Sequence, residues 1–286
     1  MSRIPKPHPG IMAVMLPFVI LLLLLIAFDP VKAMSRDDDS PPRVVMGENA
    51  DGHPTFTLQN EYIDCTVTVA KGRIQREDIV GQAEWLAEFG GRNARLEMDG
   101  GFALALAWNA ATSHEPSADP DKPLMVDHQD FLVTGQTLDK GTLILHLRHD
   151  TLALQADMVW TLDEDDFFVR RRVSLRDPGD HGHRIQRMWQ RYGVIFDTAQ
   201  ILNVEPSKRF LAFTIQDGAA FLDLEQQTGV ITYTPAGCGA LRLESLENVD
   251  VEITAQGTAG QWCVAAITPE PDVQPWIDGY LKEHGQ

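Results

Sequence analysis

The sequence is poor in cysteine, with only Cys65, Cys238 and Cys263 among 286 residues. An odd number leaves at least one thiol unpaired, which excludes a disulfide-rich scaffold, and the spacing does not resemble a zinc site. Cys238 and Cys263 are the best candidates for a disulfide in an oxidising compartment, because they lie in consecutive strand-like segments. Three buried thiols that act as small hydrophobic groups are the alternative.

Positive charge is also scarce. The chain has 24 Lys and Arg residues against 41 Asp and Glu, which gives a formal net charge of −17. Such a surface repels phosphates on average, so we expect no sequence-independent binding to nucleic acid. The same charge favours a protein that is soluble in water.

The common catalytic fingerprints are missing. We find no nucleophile elbow of a serine hydrolase, no glycine loop that cradles phosphate and no dinucleotide fingerprint. The sequence therefore identifies no reaction, and it predicts neither a cofactor nor a metal site.

The N-terminal segment has the layout of a secretory signal peptide over residues 1–33. Arg3 and Lys6 precede an apolar run over residues 11–28, and Val31-Lys32-Ala33 is a small-residue pattern of the kind that signal peptidase cuts after. An uncleaved membrane anchor over residues 11–28 is the alternative, since 18 apolar residues just span a bilayer. Both interpretations place the rest of the chain outside the cytoplasm, periplasmic or secreted, with membrane contact only through this segment.

The remainder divides into a polar segment and one domain. Residues 34–54 are rich in Asp, Pro and Gly, which predicts a flexible linker. Residues 55–286 contain strand-like alternation at intervals of about 8–15 residues, typical of a large antiparallel β-sandwich. Trp276, Ile277, Tyr280 and Leu281 recur at helical spacing, which predicts one short C-terminal helix.

Two stretches resemble galactose-mutarotase-like domains. The first is Leu58-Gln59-Asn60-Glu61-Tyr62-Ile63 with the turn Lys71-Gly72-Arg73-Ile74, and the second runs from Trp160-Thr161-Leu162 to Asp166-Phe167-Phe168-Val169-Arg170-Arg171-Arg172-Val173. The resemblance implies an all-β supersandwich that binds carbohydrate on its concave sheet. Family members usually end the second motif with Asn, where this chain has Leu175-Arg176-Asp177. The two histidines and the late Glu of catalytic mutarotases have no match, so the resemblance assigns no catalytic residue.

The strand around Arg170-Arg171-Arg172 predicts two different environments for its arginines. Alternation sends Arg171 to one face and both Arg170 and Arg172 to the other. If Arg171 faces the core it must be paired, because a buried unpaired charge is costly. Arg170 and Arg172 then lie on the ligand face, where they can bind an anion. The alternative is a salt-bridged strand balanced by the acidic turn over residues 163–166, which we expect to be solvated.

The densest polar stretch is Asp180-His181-Gly182-His183-Arg184, followed by Arg187, Trp189 and Arg191. Guanidinium groups beside an aromatic ring suit a carboxylated or sulfated sugar. His181 and His183 can instead share a metal, and a polar turn that leads into a solvent-facing strand is the third possibility. The predicted ligand-binding residues are Arg170, Arg172, His183, Arg187, Trp189 and Arg191.

These features predict an extracytoplasmic protein that binds or acts on envelope or environmental glycans, with an anionic carbohydrate as its ligand. One alternative is a sugar epimerase or glycan-cleaving enzyme, which requires a histidine–carboxylate pair in a cleft. The other is a non-catalytic module of envelope assembly that has a protein partner and a flat apolar patch.

Overall fold

The computed structural model describes residues 42–107, 123–195, 203–206, 210–215, 217–225, 230–236 and 240–284. All of them belong to one compact unit, which begins at Ser40. The predicted signal peptide or anchor lies outside the described residues, and so does Cys238. Within the described ranges, no helix is long and apolar enough to cross a membrane.

Strands dominate this unit. They are β1 (Arg43–Glu48), β2 (Pro54–Gln59), β3 (Ile63–Ala70), β4 (Arg73–Gly81), β5 (Arg95–Leu106), β6 (Leu124–Asp127), β7 (Phe131–Asp139), β8 (Thr142–His149), β9 (Gln155–Thr161), β10 (Phe168–Arg176), β11 (Arg184–Ile195), β12 (Asn203–Pro206), β13 (Leu211–Ile215), β14 (Gly218–Leu224), β15 (Val230–Ala236), β16 (Ala240–Glu252), β17 (Thr258–Ala259) and β18 (Cys263–Thr268). The helices are α1 (Ala83–Glu88) and α2 (Gln274–His284), with a 3-10 turn at His128–Asp130.

The strands form two antiparallel sheets. Sheet A has the order β1-β2-β3-β4-β5-β11-β16-β15, with β6 beside β5. Sheet B has the order β12-β13-β14-β18-β10-β9-β8-β7, with β17 beside β10. Apolar side chains from both sheets pack into one core between them, including Leu58 and Phe102 of sheet A and Trp160 and Val173 of sheet B. The predicted all-β antiparallel sandwich with a short C-terminal helix is confirmed.

The first strand lies inside the segment that the sequence predicted as a linker. β1 pairs along its whole length with β2, from Arg43 opposite Gln59 to Glu48 opposite Pro54. Most side chains of β1 are exposed, as expected of an edge strand, so its sequence carries little of the alternation that marks a half-buried strand. The sandwich therefore starts before residue 55.

The helix α2 covers one part of the outer face of sheet B. Ile277 and Tyr280 pack against Phe168, Phe221 and other apolar side chains on that face. The Tyr280 hydroxyl also donates to Asp223 Oδ2 at 2.9 Å. Farther along β10, beyond this apolar contact, the outer side chains are polar and partly exposed.

Asn60, in the first motif of the family resemblance, fastens the two sheets together at one end. Its Oδ1 accepts hydrogen bonds from the amides of Tyr62 and Ile63, both at 2.9 Å. Its Nδ2 donates across to the carbonyls of Asp163 at 2.8 Å and Asp166 at 2.6 Å. The motif thus has a structural role, since one buried amide joins the β2–β3 turn to the β9–β10 turn.

Candidate functional site

Strand β10 presents its arginines to opposite faces, as alternation predicts. Arg171 points into the core, where it donates to the carboxylate of Glu77 on β4, and each residue is only 1% exposed. Its Nη2 also donates to the carbonyl of Gly101 at 3.4 Å. The expected partner of Arg171 is therefore an acid from the other sheet, and Arg170 and Arg172 lie on the outer face.

The guanidinium of Arg172 stacks on an aromatic ring. Its Cζ lies 4.4 Å from the centroid of the Trp262 ring. The two side chains meet because β10 pairs with β18 with Arg171 opposite Cys263, which places residue 262 next to residue 172. The Nε of Arg172 is buried and has no hydrogen-bond partner, and no carboxylate in the described ranges forms an ion pair with this guanidinium.

Arg170, two positions away on the same face, has its charge balanced. Its Nε lies 2.6 Å from Glu225 Oε1, and its Nη1 lies 4.0 Å from Asp163 Oδ2. Its Cζ also lies 5.6 Å from the ring centroid of Phe168. Arg170 is therefore held in an ion pair beside the apolar contact with α2, whereas Arg172 is not.

A row of hydrogen bonds crosses four strands on the same face. Asp157 on β9 accepts from Arg176 Nη2 at 2.7 Å through Oδ2. Its other oxygen lies 2.8 Å from His146 Nδ1, and His146 Nε2 lies 2.9 Å from Thr137 Oγ1. The row forms because Asp157 on β9 is opposite His146 on β8 and opposite Ser174 on β10. Arg176 is two residues beyond Ser174, on the same face of β10.

We call this part of sheet B the arginine face. It consists of Arg170, Arg172, Trp262, Asp157, His146 and Arg176, with Val159 and Ile144 between the Arg172–Trp262 pair and β7. Val159 and Ile144 are only partly buried. The face thus combines a guanidinium stacked on a ring, a partly exposed apolar strip and a row of hydrogen-bonding groups.

Other predicted ligand residues lie on the opposite side of the sandwich. Met188 of β11 packs into the core, so its neighbours Arg187 and Trp189 face outward from sheet A, where Arg187 is exposed and Trp189 half-buried. Arg191 is also on β11. Its backbone pairs with Gly101 on β5 and with Glu244 on β16, and its side chain lies outside what the structure describes. The six predicted residues therefore do not meet at one site.

His183 belongs to a third location, the turn between β10 and β11. It is 3% exposed, and its Nδ1 lies 2.7 Å from Asp177 Oδ2. Asp177 is fully buried, and its Oδ1 lies 2.7 Å from His181 Nδ1. Although burial raises the pKa of Asp177, the hydrogen bonds from His181 and His183 outweigh it and hold that pKa below its usual value.

The local sequence did not indicate that Trp262 and Asp157 belong to the arginine face. Trp262 comes just before β18, a strand whose apolar sequence indicates only core residues. The pairing of β10 with β18 is what brings Trp262 beside Arg172. The alternation along β9 puts Asp157 at an outward position. That alternation is the one sequence signal that could have placed Asp157 on the same face as His146. The sequence instead favours Trp189 as the aromatic partner of the arginines, because it is close to Arg187 in sequence.

Comparison with known proteins gives matches of fold only. No protein-family model and no curated sequence matches the chain. An Escherichia coli K12 protein proposed to be an aldose 1-epimerase is 10% identical, with 76% of this chain and 99% of that chain covered and a TM-score of 0.43. The α-galactosidase of Lactobacillus brevis is 8% identical, with 79% and 40% covered and a TM-score of 0.45.

The YidC insertase also matches, at 11% identity over 94% of this chain and 49% of that one, with a TM-score of 0.36. The chain thus spans less than half of the α-galactosidase and about half of the insertase.

Proposed function

We propose that this protein binds a carbohydrate that carries a carboxylate or sulfate group, on the arginine face and outside the cytoplasm. The observation that carries the proposal is that the Arg172 guanidinium contacts an aromatic ring but no carboxylate in the described ranges. The Cζ of this guanidinium lies over the Trp262 ring, 4.4 Å from the ring centroid, and the guanidinium has no ion pair in the described ranges. A partly buried cation without a counter-charge costs free energy, and an anionic ligand offsets that cost.

The geometry suits a ring-shaped ligand as well as an anion. A guanidinium that lies over a ring keeps its N–H groups, and these can pair with two oxygens of a carboxylate or sulfate. Val159 and Ile144 offer an apolar strip for the C–H face of a sugar. Asp157 and His146 lie one step along the same strands, where they can exchange hydrogen bonds with hydroxyl groups.

Binding is favoured over catalysis by the state of His146. A histidine–carboxylate pair is what an epimerase or a glycan-cleaving enzyme needs, and Asp157 with His146 is such a pair at 2.8 Å. However, the other ring nitrogen of His146 is also engaged, with Thr137 Oγ1 at 2.9 Å. Because both nitrogens already have partners, the imidazole cannot take a proton from a substrate without first losing a bond.

The location outside the cytoplasm is supported by the sequence of residues 1–33. An apolar run preceded by basic residues and followed by a small-residue pattern is typical of a signal peptide. A glycan of the envelope or of the surroundings is the ligand that such a location offers.

The experiment is a glycan-array screen of the full-length chain with neutral, uronic and sulfated sugars, followed by calorimetry on the hits. Replacing Arg172 with Ala removes a charge-assisted pair worth about 1.5–3 kcal/mol, so we expect binding to weaken roughly tenfold to a hundredfold. Arg187→Ala is the matched control, since it removes an exposed arginine from the outer face of sheet A, and we expect no change.

Equal losses in the two variants, or equal binding of neutral and anionic sugars, would contradict the proposal. Turnover of a bound sugar would move the function to the enzyme class. Silence of the folded protein across the array would favour the envelope-assembly alternative and a protein partner.

A further inference from the structure

The turn between β10 and β11 contains three metal-ligating side chains that the arginine face does not use. Asp177, His181 and His183 each offer one ligand atom, and these atoms all lie within 4.8 Å of one another. The sequence pointed only to His181 and His183 as a pair that could share a metal. The fold adds the carboxylate as a third donor.

We propose that Asp177, His181 and His183 bind a divalent transition-metal ion such as Zn²⁺. Two imidazoles and one carboxylate form the donor set of many zinc and related sites, whereas Ca²⁺ and Mg²⁺ prefer oxygen alone. The proposal is independent of carbohydrate binding, because it uses none of the residues of the arginine face.

The contacts from Asp177 to the two histidines need only a small adjustment to admit the ion. Asp177 Oδ1 and Oδ2 lie 2.7 Å from the Nδ1 atoms of His181 and His183. In a tetrahedral site with bonds of about 2.0–2.2 Å, ligand atoms are roughly 3.3–3.5 Å apart. Each contact therefore has to open by less than about 1 Å as the metal replaces the shared protons.

In the described ranges, the Nε2 of His183 is not engaged in a hydrogen bond that a change of tautomer would break. Its Nε2 is buried and has no hydrogen-bond partner within the described part of the chain. The proton can therefore move to Nε2 when a metal takes Nδ1, without breaking a second bond.

The backbone around the three side chains is already held in place. The amide of Asp177 donates to the carbonyl of Thr254 at 3.1 Å, and the amide of Ile253 donates to the carbonyl of His183 at 2.8 Å. Gly179 leaves room for the third ligand, since a Cβ at this position would lie 1.9 Å from His181 Cε1. Such preorganisation lowers the cost of binding.

Water can reach one side of the site. The side chain of His181 is 43% exposed, in contrast to the buried His183 and Asp177. We therefore expect three protein ligands with solvent at the remaining position. The exposed ligand is also the one that can be replaced with the least risk to folding.

The test measures Zn²⁺ affinity of the full-length chain, purified without a polyhistidine tag, by competition with a chromogenic chelator. The absorption spectrum of bound Co²⁺ provides a second readout of nitrogen and oxygen coordination. We expect about one ion per chain and about tenfold or greater weakening in both His181→Ala and His181→Gln. His53→Ala is the control, because this half-buried histidine lies in the β1–β2 turn outside the cluster.

Circular dichroism establishes that each variant is folded before its affinity is compared. The proposal is overturned if the folded wild-type chain binds no ion, or if the His181 variants bind as tightly as His53→Ala. Binding that depends on His181 and gives a Co²⁺ spectrum that is lost in His181→Gln supports it.

Discussion

Arg171 of sheet B and Glu77 of sheet A form an ion pair in the middle of the sandwich core. They are 94 residues apart in sequence, and both are almost completely excluded from water. The attraction between two such charges has to offset a desolvation cost of several kcal/mol for each ion. We therefore expect the pair to fix how the two sheets stack more than it adds to their stability.

Removing one member of this pair should be strongly destabilising. We expect Glu77→Gln or Arg171→Met to lower the free energy of unfolding by about 3–5 kcal/mol, because an uncompensated charge stays in the core. The double variant Arg171→Met/Glu77→Leu should recover most of that loss. Urea unfolding followed by circular dichroism measures all three variants.

Arg95→Ala is the control for this comparison. Arg95 lies 3.0 Å from Asp78, but 46% of its side chain is exposed, so the loss should be below about 1 kcal/mol. Single variants in the core that cost no more than Arg95→Ala would show that the buried charges are compensated in another way.

The arginines of β10 show which parts of the site the sequence can predict. Alternation depends only on the local pleat, so it correctly placed Arg171 on the face opposite Arg170 and Arg172, although it did not say which face is the core. The partners Glu77 and Trp262 follow from sheet order and register, which local sequence does not encode.

The turn after β10 explains why the predicted ligand residues are divided. Only seven residues separate the end of β10 from the start of β11, yet the chain crosses from sheet B to sheet A in that space. Arg187 and Trp189 consequently face away from Arg172, although they are close to it in sequence. No periodicity within either strand indicates such a crossing.

Asn60 should contribute more to stability than an asparagine that braces a single turn. Asn60→Ala removes hydrogen bonds to the β2–β3 turn and to the β9–β10 turn, among them the buried bond to the carbonyl of Asp166. We expect a loss of about 2–4 kcal/mol in the free energy of unfolding. Thermal and urea unfolding provide the measurement.

Asn49→Ala is the matched control for Asn60→Ala. Asn49 Oδ1 accepts from the amides of Asp51 and His53 at 3.0 and 2.9 Å, within one exposed turn. Its loss should cost less than about 1 kcal/mol. Equal effects of the two substitutions would mean that the bridge between the sheets contributes nothing.

Asp166 should make stability fall as the pH rises from 4 to 7. Burial, and then the nearby Asp163, raise the pKa of Asp166 to about 6, while Arg170 opposes them. The folded state therefore binds this proton more tightly than the unfolded chain, in which an aspartate has its ordinary pKa near 3.8. The stabilising contribution is complete below that value and is lost as the pH rises through about 6.

Asp166→Asn should remove this pH dependence and make the protein more stable at pH 7 by roughly 1–3 kcal/mol. Urea midpoints measured between pH 4 and pH 7 provide the test. Asp165→Asn makes the same change of charge at an exposed position of the same turn, and it should keep the wild-type slope. A slope that is unchanged in Asp166→Asn would assign the pH dependence to other groups.

Trp262 should support anion binding on the arginine face although it carries no charge. Trp262→Ala removes the ring that holds the Arg172 guanidinium at 4.4 Å, so the guanidinium becomes mobile and hydrated. Binding of an acidic sugar should weaken by about 1–2 kcal/mol, through both the lost cation–π contact and the lost orientation. Calorimetry at two salt concentrations provides the measurement, because the Arg172 contribution is electrostatic and should shrink as salt rises.

Trp189→Ala is the control, since that ring lies on the outer face of sheet A. A larger loss of affinity in Trp189→Ala than in Trp262→Ala would place the ligand on sheet A. It would also support Trp189, which the sequence predicts as a ligand-binding residue.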